Sequence, residues 1–348
     1  MRVFSAVQPS GRLHIGNYTG GLMQFVRLGA ASDGIFCIAD LHSLTTAQGP
    51  AEVRAHTREV AALYLASGLD PERVILFVQS HIPAHAQLAW ILSCTARVGE
   101  LMRMTQFKAK RDEAQGTNAG LFEYPILMAA DILLYKATHV PVGADQKQHL
   151  ELARTLARRF NQRYGECFVV PDPLMPETGA RIMALDNPAE KMSKSSPRDD
   201  SRLNLLDPPD VLRRKIRSAL TDSYQGVTYD PMDRPGLANL LALYAALSGD
   251  TMEGLASRFG GFGHEAFKRS LVDLVILHLA PIQRRYGEIT RHADYVDRVL
   301  AEGAERAAAI AVPTLSQVTE AVGLLAPAPA PAPASAQAAG AADRTAGA

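Results

Sequence analysis

Lys191-Met192-Ser193-Lys194-Ser195 sets two lysines and two hydroxyls within five residues. That composition suits the wrapping of a polyphosphate: ammonium groups neutralise oxygens while hydroxyls and backbone N–H groups donate hydrogen bonds. Average residue usage gives this string by chance in about one chain of this length in ten thousand, which weighs against a plain solvated basic loop. A second phosphate-type element follows a strand near the N-terminus, Gln8-Pro9-Ser10-Gly11-Arg12-Leu13-His14-Ile15-Gly16-Asn17. Gly16 lets the backbone approach a ligand, and a helix beginning there would aim free N–H groups at phosphate. His14 and Asn17 add donors, although an ordinary strand-to-helix turn has the same local look. In Phe122–Tyr135, Pro125 suits a first helical turn, and Tyr124, Met128, Asp131 and Tyr135 recur on one face. A carboxylate among Tyr and Met is costly unless something donates to it. A ligand with an aromatic N–H would do so, and so would a neighbouring side chain. In Val142-Gly143-Ala144-Asp145-Gln146-Lys147-Gln148-His149, Asp145 can cap a helix or accept from ribose hydroxyls. The basic patch Met104–Arg111, with Lys108, Lys110 and Arg111, reads locally as a solvated helix end.

The elements that must position these groups are legible as runs. Residues 3–7, 35–39 and 74–78 are apolar almost throughout, as in strands buried on both faces of a parallel sheet. Between the last two runs, Val53, Val60, Ala61 and Tyr64 mark a helix. Residues 139–142 read as a fourth strand, and Leu152, Leu156 and Phe160 as the stripe of the helix after it. Alternating strands and helices argue a doubly wound α/β domain over residues 1–195. Ligands there sit at the carboxyl ends of the strands, where the Gly-rich turn and Asp40-Leu41-His42 fall. From residue 196 the pattern turns helical. Asp207-Pro208-Pro209-Asp210 starts a helix expected to turn Leu212, Ile216 and Leu220 inward and Arg213, Arg214, Lys215 and Arg217 outward. An all-α region is expected over 196–325, its last helices packing back on the α/β domain. An Ala/Pro-rich tail over 326–348 is expected to be disordered.

Composition narrows the function classes. The 348 residues carry 36 Lys+Arg and 36 Asp+Glu, so no global field draws the protein onto nucleic acid, and such binding would need a local patch. Three scattered cysteines, Cys37, Cys94 and Cys167, form no CxxC pair; neither a zinc site nor a disulfide framework is suggested. No run approaches the ~20 apolar residues of a membrane span, and no signal peptide is visible. A soluble, cytoplasmic protein is expected.

Taken together and in this order, these segments resemble the bacterial tryptophanyl-tRNA synthetases. The resemblance includes Gln8-Pro9-Ser10-Gly11, His14-Ile15-Gly16-Asn17, Met104-Thr105-Gln106-Phe107-Lys108 and the Tyr124-to-Asp131 helix. It continues through Val140-Pro141-Val142-Gly143, Gly179-Ala180-Arg181-Ile182-Met183, Lys191–Ser195 and Lys215–Ser223. The two signature loops alone would indicate class I aminoacyl-tRNA synthetases; the Asp131 segment narrows the resemblance to tryptophan. Asn17 stands where the wider class has a second histidine. Ala144 and Ser196 stand where relatives often have acidic residues.

The resemblance implies activation of L-tryptophan with Mg²⁺-ATP, release of pyrophosphate and transfer to tRNA(Trp), by a homodimer. It implies that Lys110, Lys191, Ser193, Lys194 and Ser195 act on the transferring phosphates. Gln8, Pro9, Ser10, His14, Gly16, Asn17, Gly143, Ala144, Asp145, Ile182 and Met192 would complete the ATP site. Asp131 would accept the indole N–H, with Phe4, His42, Met128 and Val140 around the ring and Tyr124 and Gln146 at the amino group. The region after residue 196 would meet the anticodon. The alternatives are a tyrosine-specific enzyme of the same fold, a non-catalytic tryptophan- or nucleotide-binding paralogue, and a small-molecule adenylate-forming ligase.

Overall fold

A computed structural model describes residues 1–46, 48–105, 118–143, 146–174, 181–194 and 196–325. Its centre is a five-stranded parallel sheet of β1 (Arg2–Val7), β2 (Asp33–Ile38), β3 (Ile75–Val78), β4 (His139–Pro141) and β5 (Asp172–Leu174), in the order β3-β2-β1-β4-β5. β1 pairs with β2 over its whole length and with β4 through Val3 and His139. The order reverses between β1 and β4, which opens a crevice above their carboxyl ends.

Side chains alternate across the sheet. Phe36 and Ile38 face one layer, with Leu76 and Val78; Ile35 and Cys37 face the other, with Phe4, Ile75 and Phe77. The second layer is closed by helices Ala84–Ser93, Ala119–Leu133 and Lys147–Tyr164. The first layer holds Pro50–Ala66 and the helices of the C-terminal region, Pro209–Ser218, Pro235–Ser248, Met252–Phe259 and His264–Thr290. The α/β part and the helical part thus share one core. The last helix, Ala293–Ala321, contributes Val299 and Leu300 to one layer and Ala307 and Ala311 to the other. It wraps the β3 edge so closely that a Cβ on Gly303 would run into the Leu76 carbonyl oxygen. The fold is therefore a doubly wound parallel sheet followed by an all-α region.

Three local expectations are corrected. Pro125 lies inside its helix, not in the first turn. The helix begins at Ala119, where the Asn118 side chain accepts from the Leu121 N–H at 2.8 Å. Lys215 does not face solvent: it is fully buried and bonded to Asp199 at 2.6 Å and Asp207 at 2.7 Å. Leu220 lies beyond the end of its helix, which stops at Ser218, and is 50% exposed. β5 has no counterpart among the expected strands. Its Asp-Pro-Leu sequence carries no apolar run, and an edge strand tolerates the proline. The tail after residue 325 lies outside the described residues.

Candidate functional site

The strand ends are tied together before any ligand is considered. After β1, the Gln8 side-chain amide donates to the His42 carbonyl at 3.0 Å. After β2, the Leu41 N–H donates to Gln79 Oε1 at 3.1 Å, and Asp40 accepts from the Ser80 N–H at 2.9 Å. Gln79 itself follows β3. One hydrogen-bonded rim therefore joins the ends of three neighbouring strands, where a doubly wound sheet places its ligands.

Along this rim lie the signature segments. The helix that follows the first turn starts at Ile15, one residue before Gly16, and Asn17 caps it by accepting the His14 N–H at 3.1 Å. The Ile15 N–H is taken by the Leu203 carbonyl at 2.8 Å, so it is not aimed at a phosphate. Gly16 is needed for a different reason: a Cβ there would stand 3.1 Å from His14 Nδ1. His14 is buried, and its Nδ1 has no hydrogen-bond partner among the described residues. Burial first, then the charges of Lys194, Arg202 and Lys191, push its pKa down to about 3. It is a neutral imidazole at physiological pH. Pro9 is buried beneath the turn; Ser10 is half-buried and donates its N–H to the Gln8 carbonyl at 2.9 Å.

The lysine segment is pinned at its start. Met183 and Lys191 form an antiparallel bridge, and the Met192 N–H donates to the Ile182 carbonyl at 3.1 Å. The Met192 and Ile182 side chains are both buried in the shared core, so Met192 anchors the segment rather than lining its surface. Lys191 is exposed and Ser193 half-buried. Lys194 turns back to the rim and donates to the Gln8 carbonyl at 2.7 Å. Gly11, at φ +76°, makes room for it, because a Cβ there would be 3.3 Å from the Lys194 carbonyl oxygen. Burial pushes the Lys194 ammonium down to about 8.

On the other side of Gln8 lies the carboxylate. Asp131 is 1% exposed. Its Oδ1 accepts from Gln79 Nε2 at 2.7 Å and His85 Nδ1 at 2.6 Å, and its Oδ2 from His42 Nε2 at 2.9 Å. Burial would raise its pKa, but the hydrogen bonds from His42 and His85 overrule it and hold the carboxyl well below the usual range. His85 Nε2 meets the Tyr135 hydroxyl at 2.8 Å, and the Tyr135 ring stacks on Phe4 with centroids 5.4 Å apart. Val140 is buried and Met128 half-buried. The Tyr124 ring stands edge-on to His42, and its hydroxyl meets His149 Nε2 at 2.8 Å. His149 Nδ1 in turn meets Gln146 Oε1 at 2.9 Å.

The structure thus gathers two groups, one around Lys194 and His14 and one around Asp131, with Gln8 touching both. Gly143 is exposed after β4. Lys110, Ala144, Asp145 and Ser195 lie outside the described residues, as does most of the basic patch after Thr105. Gln79, His85 and His149 were missed in the sequence; only the buried setting of three polar side chains marks them. A groove of about 870 Å³ among the described residues lies elsewhere, between Leu69 and Arg285. It holds none of these residues, and the convergence of polar groups is the better guide to chemistry. Among the described residues no cluster of His, Cys, Asp or Glu is placed to hold a metal.

The arrangement offers cations and neutral donors beside an anionic acceptor set in an apolar wall, which fits a phosphate-bearing ligand next to an aromatic one. Comparison with known proteins agrees. The family profile of class I tRNA synthetases (W and Y) matches residues 1–279. The chain is 53% identical over 324 residues to the tryptophan–tRNA ligase of Caldanaerobacter subterraneus, covering 93% of this chain and 98% of that one. It is 48% identical over 322 residues to that of Bacillus subtilis, covering 92% and 97%. Among solved structures it resembles tryptophanyl-tRNA synthetase from Mycoplasma pneumoniae, with TM-score 0.86, 35% identity, and 93% and 98% coverage. It also resembles the Campylobacter jejuni enzyme complexed with ADP and tryptophan, with TM-score 0.79, 33% identity, and 93% and 100% coverage. A chain with this sheet, these strand ends and these relatives belongs to the class I tRNA synthetases of the tryptophan and tyrosine type.

Proposed function

We infer that this protein is a tryptophan–tRNA ligase, which activates L-tryptophan with ATP to tryptophanyl-adenylate, releases pyrophosphate and transfers tryptophan to tRNA(Trp). The observation that carries the reading is the buried, ionised Asp131 on the helix that also carries Tyr124 and Met128, joined to Lys194 through His42 and Gln8. The amino-acid carboxylate is already charged at neutral pH, so its attack on the α-phosphate requires no general base. Catalysis then rests on positioning and on charge stabilisation at the transferring phosphoryl group. Lys194 and Lys191, with Lys110 and the Ser193 and Ser195 hydroxyls, face the pyrophosphate. His14, as a neutral imidazole, can give a hydrogen bond to a phosphate oxygen without adding charge to the site. Gln8, Pro9, Ser10, Gly16, Asn17, Gly143, Ala144, Asp145 and Ile182 frame the nucleotide. Asp131 accepts the indole N–H between Phe4, His42, Met128 and Val140, and Tyr124 and Gln146, joined through His149, meet the amino group.

Specificity follows from the same acceptor. A site built to hydrogen-bond an N–H rejects phenylalanine by about 10⁴-fold, because the buried acceptor is left unpaired. The helical region 196–325 is the tRNA platform, with Arg213, Arg214 and Arg217 available at its surface and Lys215 withdrawn from it. Exposed Trp90, Val98 and Met102 on neighbouring helices support a homodimer. No helix among the described residues is long and apolar enough to cross a membrane, and the assignment places the protein in the cytoplasm with tRNA.

Amino-acid-dependent ATP–pyrophosphate exchange, run in parallel with tryptophan and tyrosine, tests the reading. Exchange with tryptophan alone is expected. Exchange with tyrosine would overturn the specificity, and exchange with neither would overturn activation itself.

A further inference from the structure

Among the described residues three side chains donate to the Asp131 carboxylate, and they are unequally placed. A carboxylate oxygen has room for about two donors. Oδ1 has both among the described residues, Gln79 at 2.7 Å and His85 at 2.6 Å. Oδ2 has one, His42 at 2.9 Å. Gln79 and His85 are fully buried, so Oδ1 looks into the protein, whereas the His42 side chain is 12% exposed and stands edge-on to Tyr124. The remaining acceptor position is therefore on the oxygen nearer the open side.

We propose that Gln79, His85 and Tyr135 are specificity-positioning residues: they fix the rotation of Asp131 so that Oδ2 is presented to the indole N–H. This rests on the reading of Asp131 as the tryptophan acceptor. The lock works by proton inventory. An ionised carboxylate only accepts, so His85 must carry its proton on Nδ1. Its Nε2 then accepts the Tyr135 hydroxyl proton across 2.8 Å. Tyr135 cannot turn away, being fully buried and stacked on Phe4. Gln79 is held likewise, its Oε1 taken by the Leu41 N–H at 3.1 Å, which leaves its amide N–H for Asp131. Each positioning group is thus itself oriented by a second hydrogen bond, as with groups that hold metal-ligating histidines. Without the Tyr135 hydroxyl, His85 keeps its Nδ1 proton toward Asp131 but loses the second hydrogen bond that fixes its ring, so ring and carboxylate can turn together. The carboxylate would then rotate, and the indole would lose its acceptor.

The test compares tryptophan with its benzothiophene isostere, in which sulfur replaces the ring N–H, by pyrophosphate exchange. The wild-type protein is expected to prefer tryptophan by on the order of 10⁴ in kcat/KM. Tyr135→Phe is expected to lower that preference about ten- to hundredfold, through a raised KM for tryptophan with the KM for ATP unmoved. His85→Gln, whose amide lies near the Nε2 position, should behave the same way. His85→Asn, whose amide nitrogen falls near Nδ1, should retain most of the preference. Thermal unfolding of each variant establishes that it is folded. Folded Tyr135→Phe and His85→Gln proteins with wild-type preference would overturn the positioning role. A wild-type protein indifferent to the isostere would instead overturn the indole contact, and the proposal with it.

Discussion

Lys194 reaches 186 positions back along the chain to the Gln8 carbonyl; that contact fixes its place, and the burial that comes with it sets its acidity. Burial lowers it from 10.5 to about 8. The ammonium is charged below that pH and neutral above it. On the proposed reading, the charge that activation uses is therefore present at neutral pH and lost as pH rises. The kcat/KM for ATP, which reports the free enzyme, should fall above pH ~8 by roughly tenfold per unit. Lys194→Arg, charged throughout, should abolish that fall. Lys194→Ala should slow activation by about 10²–10³-fold, about 3–4 kcal/mol, with little change in tryptophan affinity. A wild-type profile that stays flat through this range would remove the lysine charge from the mechanism. Three of the residues named here were legible by type and spacing: His14, Asp131 and Lys194 all sit in strings whose composition advertises chemistry. Gln79 and His85 did not advertise themselves, because a lone Gln or His beside apolar residues is not distinguished by its neighbours, and His149 stood at the end of a polar string in which nothing set it apart.

Between elements, the decisive contacts are those that join the two signature segments. Leu13–Ile15 pair with Leu203–Leu205 through the His14–Asn204 bridge. Arg202 donates to the Ser196 carbonyl at 2.7 Å, just after the lysine segment. The strand-like stretch Leu203–Leu205 is held in place by Lys215, buried between Asp199 and Asp207, while Asp207 also accepts from the Asn204 N–H at 2.9 Å. Removing one partner from a buried ionic group leaves the other uncompensated. Lys215→Met should therefore cost about 3–5 kcal/mol, read as a lowered urea midpoint, and should raise the KM for ATP because the His14 turn loses its support. A loss below about 1 kcal/mol would mean the pair behaves as an exposed one. The helical period of Pro209–Ser218 located the helix, but its charge pattern misplaced Lys215. A lysine among arginines reads as solvated face until acidic partners from another segment are brought to it.

For the whole molecule, the boundary expected near residue 195 is not a boundary of the core. Phe36, Ile38, Leu76 and Val78 of the sheet share one apolar cluster with Leu212, Leu240, Phe267 and Leu271 of the helical region. The last helix covers the β3 edge, leaving Gly303 no room for a side chain. A fragment of residues 1–195 would expose that sheet face to water, and exposed apolar area is the dominant unfavourable term. It should show no cooperative unfolding transition and no ATP–pyrophosphate exchange, measured by calorimetry and exchange assay. A cooperatively folded fragment would mean that Pro50–Ala66 and the second layer suffice without the helical region.

What the sequence determined by itself was what short range can encode. The apolar runs of β1 to β3 announced a parallel sheet, because strands buried on both faces leave no polar alternation. The signature strings announced phosphate chemistry, because several rare residue types were needed side by side. The tertiary structure alone decided the rest: which donors surround Asp131, which oxygen of it remains open, why Lys215 is inside, and that two regions share one core. Those facts depend on groups 46 to 89 positions apart around Asp131 and on an ionic contact across 16 positions at Lys215. No helical or strand period carries such pairings; they exist only once the sheet brings its ends together.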